Sequence, residues 1–320
     1  MRQRRGRGGR AAVVVGLGAL AGGVHRAARR HVARIEATPD PYTLGELLRE
    51  PEGREVTVER PDGTRLRALV DGEEGPTLVF VHGYGATLVE WNVIWRRLRG
   101  RYRLIAFDGR GHGRSTVGAG GVSSRAMAAD LAAVLDHFDV RGGTLIGHSM
   151  GGFVSVRCLL DHPGVTRARL ARAIIVASFA GDVTRGAPQP RLHIPLIASG
   201  VMPALCRTRT YGWLFMGAQF GRVRFASGVE ALRRVFVAQD HGRLIPILRA
   251  LQRENDYPRL SEISLPCTVI CGDADDTTPR HHSETLARDI PGARFVGVPG
   301  CGHILNWEAP EVITQAIEGG

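Results

Sequence analysis

Gly147-His148-Ser149-Met150-Gly151 fits the pattern G-x-S-x-G, and Thr144-Leu145-Ile146 just before it reads as a short strand. A sharp strand-to-helix turn at Ser149 leaves no room for side chains two residues either side, which accounts for glycine at both positions. After the turn, Phe153, Val154, Val156, Leu159 and Leu160 recur at helical spacing. Strand, turn and helix together would hold a serine hydroxyl exposed above a sheet, and the pattern points to acyl-bond chemistry. With 42 glycines, the chain can also produce such a match by chance, so the reading depends on partners elsewhere.

A serine hydroxyl is a poor nucleophile until a histidine takes its proton, and that histidine needs a carboxylate to fix its tautomer and stabilise its cation. Where a G-x-S-x-G elbow carries a triad, the order is Ser, then Asp or Glu, then His. Downstream, Thr268-Val269-Ile270-Cys271 reads as a strand, and Gly272-Asp273-Ala274-Asp275-Asp276-Thr277-Thr278-Pro279 as the loop leaving it. Three aspartates compete in that loop.

Here the chain resembles the α/β-hydrolase superfamily, whose acid loop commonly reads Gly-x-x-Asp with Pro four residues later. The resemblance selects Asp275; Asp273 and Asp276 read as loop formers that bond their own backbone. Of the 12 histidines, His303 lies after the acid, beyond a strand over 293–298 and inside Pro299-Gly300-Cys301-Gly302. The superfamily's ending Gly-x-Gly-His, then Glu-x-Pro, matches Gly300 to His303 and Glu308-Ala309-Pro310, with a closing helix over 309–317. His281 and His282 fall on the polar start of the preceding helix and read as solvated; His148 reads as packing.

The oxyanion of an acyl-transfer site needs donors. One is the backbone N–H of Met150, at the start of the helix after the nucleophile. The strand Thr77-Leu78-Val79-Phe80-Val81 ends in His82-Gly83-Tyr84-Gly85, similar to the superfamily's His-Gly oxyanion loop, which implies the N–H of Tyr84 as the other. Phe107-Asp108-Gly109-Arg110-Gly111-His112-Gly113-Arg114-Ser115 resembles the Asp-x-Arg-Gly-His-Gly-x-Ser turn, and its charges are expected to tie loops together beneath the site. The resemblance spans about residues 54 to 318. Relatives that open epoxides or haloalkanes carry an aspartate at the elbow, where this chain has Ser149.

The resemblance implies an α/β fold: a mostly parallel central sheet with helices on both faces, and a helical cap inserted after the strand that follows the nucleophile helix. That strand is Ala173 to Ala177, and about ninety residues separate it from Thr268. A connection of that length must fold. Apolar residues line one side of 192–206, 212–220, 229–239 and 244–253, so the cap is expected over 181–257, with the core over 54–180 and 258–320. Its candidate pocket walls are Trp213, Phe215, Met216 and Phe220, together with Leu196, Met202, Leu205, Leu214 and Phe236. At most a third of these nine are expected at the pocket, the rest packing the cap itself.

All 42 basic residues are arginine, and nine of them (Arg2, Arg4, Arg5, Arg7, Arg10, Arg26, Arg29, Arg30, Arg34) precede Glu36, the first acid. From Glu36 onward 33 arginines face 31 acids, so the net charge of +11 is not a nucleic-acid signal. The 14 residues Ala11 to Val24 are uncharged and apolar, short for a bilayer span of roughly 20 but suited to a signal h-region. Residues 1–36 are expected to be a targeting or membrane-associating segment, contacting a membrane surface through 2–34, and 37–53 a linker; a cytoplasmic location is the alternative. Gly16-Leu17-Gly18-Ala19-Leu20-Ala21 mimics a dinucleotide fingerprint, but 37–53, with Pro39, Pro41, Pro51 and Gly53, has no room for the remaining strands. Five cysteines without framework spacing, and no Cys-His cluster, imply no disulfide scaffold, no zinc and no cofactor.

The expected activity is cleavage of carboxylic esters with a hydrophobic acyl or alkyl group through Ser149, His303 and Asp275 and an acyl-enzyme, with Tyr84 and Met150 holding the oxyanion. A carbon-carbon (diketone) hydrolase is the alternative, which a polar cap residue such as Arg191, Arg207 or Arg209 near the pocket would favour. A perhydrolase or haloperoxidase-like enzyme and a non-catalytic binding protein on the same fold are the others. Neither acyl length nor oligomeric state is legible.

Overall fold

The structure, a computed structural model, describes residues 22, 23 and 25–319. The apolar run, apart from Gly22 and Gly23, the dinucleotide mimic and the first five arginines lie outside the described residues.

Eight strands form one sheet: β1 (Arg54–Glu59), β2 (Arg65–Asp71), β3 (Thr77–Val81), β4 (Arg103–Phe107), β5 (Gly143–His148), β6 (Leu170–Val176), β7 (Cys267–Gly272) and β8 (Arg294–Val298). Their order is β1-β2-β4-β3-β5-β6-β7-β8, with β2 antiparallel to both its neighbours and all other pairs parallel. The central strands are apolar on both faces because both are covered. Along β3, Val79 and Val81 point into one core, with Leu145, Ile175 and Val269 of neighbouring strands. Leu78 and Phe80 point into the other, with Ile146, Ile174 and Ile270. This period-two alternation places the helices Ser124–His137 and Met150–Asp161 on one side and Asn92–Leu98 and Pro310–Glu318 on the other.

Strand order reverses at β3, which has β4 on one side and β5 on the other, and a doubly wound sheet opens its crevice at such a point. Val81 pairs with Gly147, so the loops leaving β3 and β5 emerge side by side. A Cβ on Gly151 would collide with the carbonyl oxygen of Val81, which explains the second glycine of the elbow.

The stretch between β6 and β7 is helical as expected, with helices Pro188–Ala198, Val201–Cys206, Arg209–Gly217, Ala226–Val237 and His241–Arg253. The element expected over 192–206 is two helices, broken where Gly200 takes a left-handed φ of 77°. Residues 37–53 are not an open linker. Thr43 and Glu46 close a capping box on helix Leu44–Leu48, the Asn92 side chain donates to the carbonyls of Glu46 and Leu47, and Trp95 Nε1 donates to that of Glu52. Residues 25–36 are helical and bury Ala28, Val32 and Ile35 against the cap. Among the described residues no helix is long and apolar enough to cross a membrane.

Candidate active site

Ser149 sits between β5 and helix Met150–Asp161 with φ 54° and ψ −121°, a region that costs a non-glycine residue about 1–3 kcal/mol. Three bonds hold it there: its N–H donates to Val176 O (2.9 Å), and its carbonyl accepts from Ser178 Oγ (2.7 Å) and Phe153 N–H (3.1 Å). The loops after β7 and β8 bring the other two residues to it. His303 Nε2 lies 2.9 Å from Ser149 Oγ, and His303 Nδ1 lies 2.8 Å from Asp275 Oδ2. The three candidates widely separated in sequence are one hydrogen-bonded chain, each of them buried.

Asp275 also accepts from Thr277 N–H, Thr278 N–H and Thr278 Oγ1, at 2.8, 2.8 and 2.7 Å. Burial would raise its carboxyl, but the His303 partner and these bonds outweigh burial and hold it below the usual carboxylate range. Asp273 does act as a loop former, accepting from Gly300 N–H at 2.6 Å. The turn after β4 also has its expected structural part: Asp108 accepts from the N–H groups of Leu88 and Arg114, and Arg110 is bonded to Asp130 and Asp62.

The loop carrying Tyr84 runs against the elbow, so close that a Cβ on Gly83 would stand 3.3 Å from Ser149 Cβ. Within the described residues no protein acceptor takes the N–H of Tyr84 or of Met150. The Tyr84 hydroxyl donates to His241 Nδ1 (3.0 Å) while His241 Nε2 donates to Phe236 O (2.8 Å), a pattern that fixes a neutral tautomer. Burial lowers His241 and raises the Tyr84 phenol, in keeping with that pattern.

His148 does more than pack. Its Nδ1 meets Glu90 Oε1 at 2.9 Å and its Nε2 meets the His303 carbonyl at 2.8 Å, so both ring nitrogens face acceptors, an arrangement that favours the imidazolium. Burial opposes that charge, but the Glu90 carboxylate outweighs it and raises the His148 pKa. The second Glu90 oxygen accepts from Gly83 N–H at 3.2 Å. One buried pair therefore ties the elbow, the Tyr84 loop and the His303 loop together. Its sequence trace is slight: a single acid between Val89 and Trp91. His282, expected to be solvated, is buried; Tyr257 Oη lies 2.6 Å from its Nδ1, and burial pushes its pKa down to about 4.

Above Ser149 is a cavity of about 140 Å³. Of the four main pocket candidates, Met216 borders it and Trp213, Phe215 and Phe220 do not; of the other five, Met202 and Phe236 do. Trp213 is held inside the cap by its Nε1 bond to Glu230, Phe220 packs on Phe225, and Phe215 packs edge-on to His193. Apolar periodicity marks a helix's buried side and does not separate a cavity wall from a packed core. Polar residues the sequence did not single out also border it: Gln189, His193 and Gln219, beside Thr277, whose Oγ1 lies 2.8 and 2.7 Å from the two glutamine side-chain oxygens.

Glu308 accepts from Gly221 N–H of the cap (2.8 Å) and Gly302 N–H of the His303 loop (3.1 Å). Burial outweighs these bonds and pushes its carboxyl up from 4.5 to about 7. Between those values the folded chain keeps a proton that the unfolded chain has lost, so this group's contribution to stability falls as pH rises through the window. Glu308→Gln should melt with the wild type near about pH 5 and above it near about pH 8, read by circular dichroism.

Residues 78–316 match the alpha/beta hydrolase family. The chain belongs to that family. The dihydrolipoyllysine-residue acetyltransferase component of an acetoin cleaving system of Pseudomonas putida is 30% identical over 261 residues, 77% of this chain and 63% of that protein. The 2-hydroxy-6-oxononadienedioate/2-hydroxy-6-oxononatrienedioate hydrolase of Paraburkholderia phymatum is 27% identical over 80% of this chain and 91% of its own length. A thermophilic esterase of Thermogutta terrifontis, solved with malate bound, has a TM-score of 0.68 at 26% identity, over 83% of this chain and 97% of its own.

Proposed function

We propose that this enzyme hydrolyses neutral carboxylic esters carrying a compact apolar group. The observation that carries the reading is the Ser149–His303–Asp275 chain of hydrogen bonds at the floor of a small, mostly apolar cavity with no arginine among its described lining residues. His303 Nε2 takes the Ser149 proton as Oγ adds to the ester carbonyl, and the N–H groups of Tyr84 and Met150 hold the oxyanion. Collapse expels the alcohol, which takes the proton from His303 and leaves an acyl-enzyme. Water, deprotonated by His303, then releases the acid and restores Ser149.

Carbon-carbon hydrolysis could use the same residues, and the Paraburkholderia relative is named for a dianionic substrate. An anionic substrate needs a cation in the cavity. Arg191 donates outward to Thr184 O, Arg209 pairs with Glu36 and lies over Trp213, and Arg207 is exposed; none of the three borders the cavity. That favours the neutral ester.

A cavity of this size holds a group about as large as benzene. Among p-nitrophenyl esters from acetate to palmitate, kcat/KM should peak at an acyl length of about four to six carbons and fall steeply beyond. A maximum at palmitate would overturn the size argument, and equal turnover by Ser149→Ala would overturn the ester reading.

A further inference from the structure

We propose that the outer face of the cap and the N-terminal helix beside it form a docking surface for an anionic phospholipid bilayer. The near-neutral balance after Glu36 conceals a division. The cap, 181–257, holds 11 arginines and five acids, and residues 1–36 hold nine arginines and one acid. The remaining 37–180 and 258–320 hold 22 arginines and 25 acids. Positive charge is thus concentrated in the cap, which covers the nucleophile, and in the sequence of residues 1–36, while the rest of the chain carries a slight acidic excess.

The two basic elements are joined. Ile35 and His31 lie against Gly217, and Arg209 pairs with Glu36 at 2.8 Å. On the helix of residues 25–36, Val32 and Ile35 face the cap while Arg26, Arg29, Arg30 and Arg34 are exposed. Arg29, Arg30 and Arg209 border one groove between the helix and the cap.

Exposed apolar side chains also fall in the cap. Among the described residues the large apolar side chains standing in solvent are Leu192 (59%), Val201 (45%) and Val223 (60%), all in the cap. Leu192 and Val201 belong to consecutive helices whose other sides supply Ile194, Ile197 and Met202 to the cavity wall. In the sequence, the basic helix follows directly on the apolar run Ala11 to Val24. Arginines alone would suit any polyanion. Arginines with exposed aliphatic side chains and an adjoining apolar run suit the headgroup and acyl boundary of a membrane. Docked this way, the cap would present the cavity to esters dissolved in the bilayer.

The test is sedimentation of the full chain with vesicles of phosphatidylcholine alone or with phosphatidylglycerol added. Two exposed triple variants are compared: Arg26→Gln/Arg29→Gln/Arg30→Gln, and Leu192→Gln/Val201→Gln/Arg207→Gln. A basic residue at an anionic surface is worth about fivefold in partitioning, so the first variant should bind phosphatidylglycerol vesicles on the order of a hundredfold more weakly. The second should lose about tenfold or more. Both should keep wild-type circular dichroism and turnover of a water-soluble ester. The proposal is overturned if the wild type ignores phosphatidylglycerol, if the cap variant binds like the wild type, or if single-stranded RNA competes fully for binding that Leu192 and Val201 do not affect.

Discussion

Ser149→Ala should lower kcat for a p-nitrophenyl ester on the order of a million-fold while KM changes little, because the hydroxyl is lost without disturbing the cavity. Alanine suits the space, and the φ of 54° is held by the bonds to Val176 and Ser178, which involve only the backbone of residue 149. Asp275→Asn should cost on the order of ten thousand-fold. An asparagine there can no longer accept at once from His303 Nδ1, Thr278 Oγ1 and the two threonine N–H groups, so His303 loses the partner that fixes its tautomer. Burst kinetics check the step directly: the wild type should release p-nitrophenol stoichiometrically before steady turnover if deacylation is slow, and Ser149→Ala should show no burst. Comparable turnover by both proteins would remove Ser149 from the chemistry.

Glu90→Gln should have the second largest effect. The carboxylate serves His148 Nδ1 with one oxygen and Gly83 N–H with the other, and glutamine has only one oxygen to divide between them. Breaking a buried ion pair from one side costs about 3–5 kcal/mol, so the melting temperature should fall. The Tyr84 loop and the His303 carbonyl both depend on this pair, so kcat should fall as well, by about a hundred- to a thousand-fold, as when one oxyanion donor is lost. KM should change much less, since Glu90 is one of many residues lining the cavity. A lower melting temperature with unchanged kcat would confine the pair to stability.

The strand ends and the candidates Ser149 and His303 are legible because each lies in a loop punctuated by glycine or proline just beyond a strand, and such punctuation is local, whereas Asp275 is picked out from three aspartates by the family resemblance. The expected strand over 144–146 is the middle of β5, that over 268–271 the middle of β7, and that over 77–81 is β3. The closing helix expected over 309–317 runs one residue later, from Pro310 to Glu318. His282 misled because its helix is polar by composition, yet the ring is covered by Phe179 and Tyr257 from distant segments.

Periodicity, turn chemistry and loop spacing act between residues near in the chain, and they mark the order of the elements, Ser149 and His303; the family resemblance those motifs carry supplies the class of fold and picks Asp275 from three aspartates. Packing between distant segments makes those three bond to one another, pairs Glu90 with His148, and sets Met202, Met216 and Phe236 at the cavity where Trp213, Phe215 and Phe220 are not. Those outcomes depend on which elements meet across 28 to 154 residues of chain, and on which side of each helix a neighbour already occupies. A hydrophobic pattern states that a side will be buried; what buries it is settled by packing.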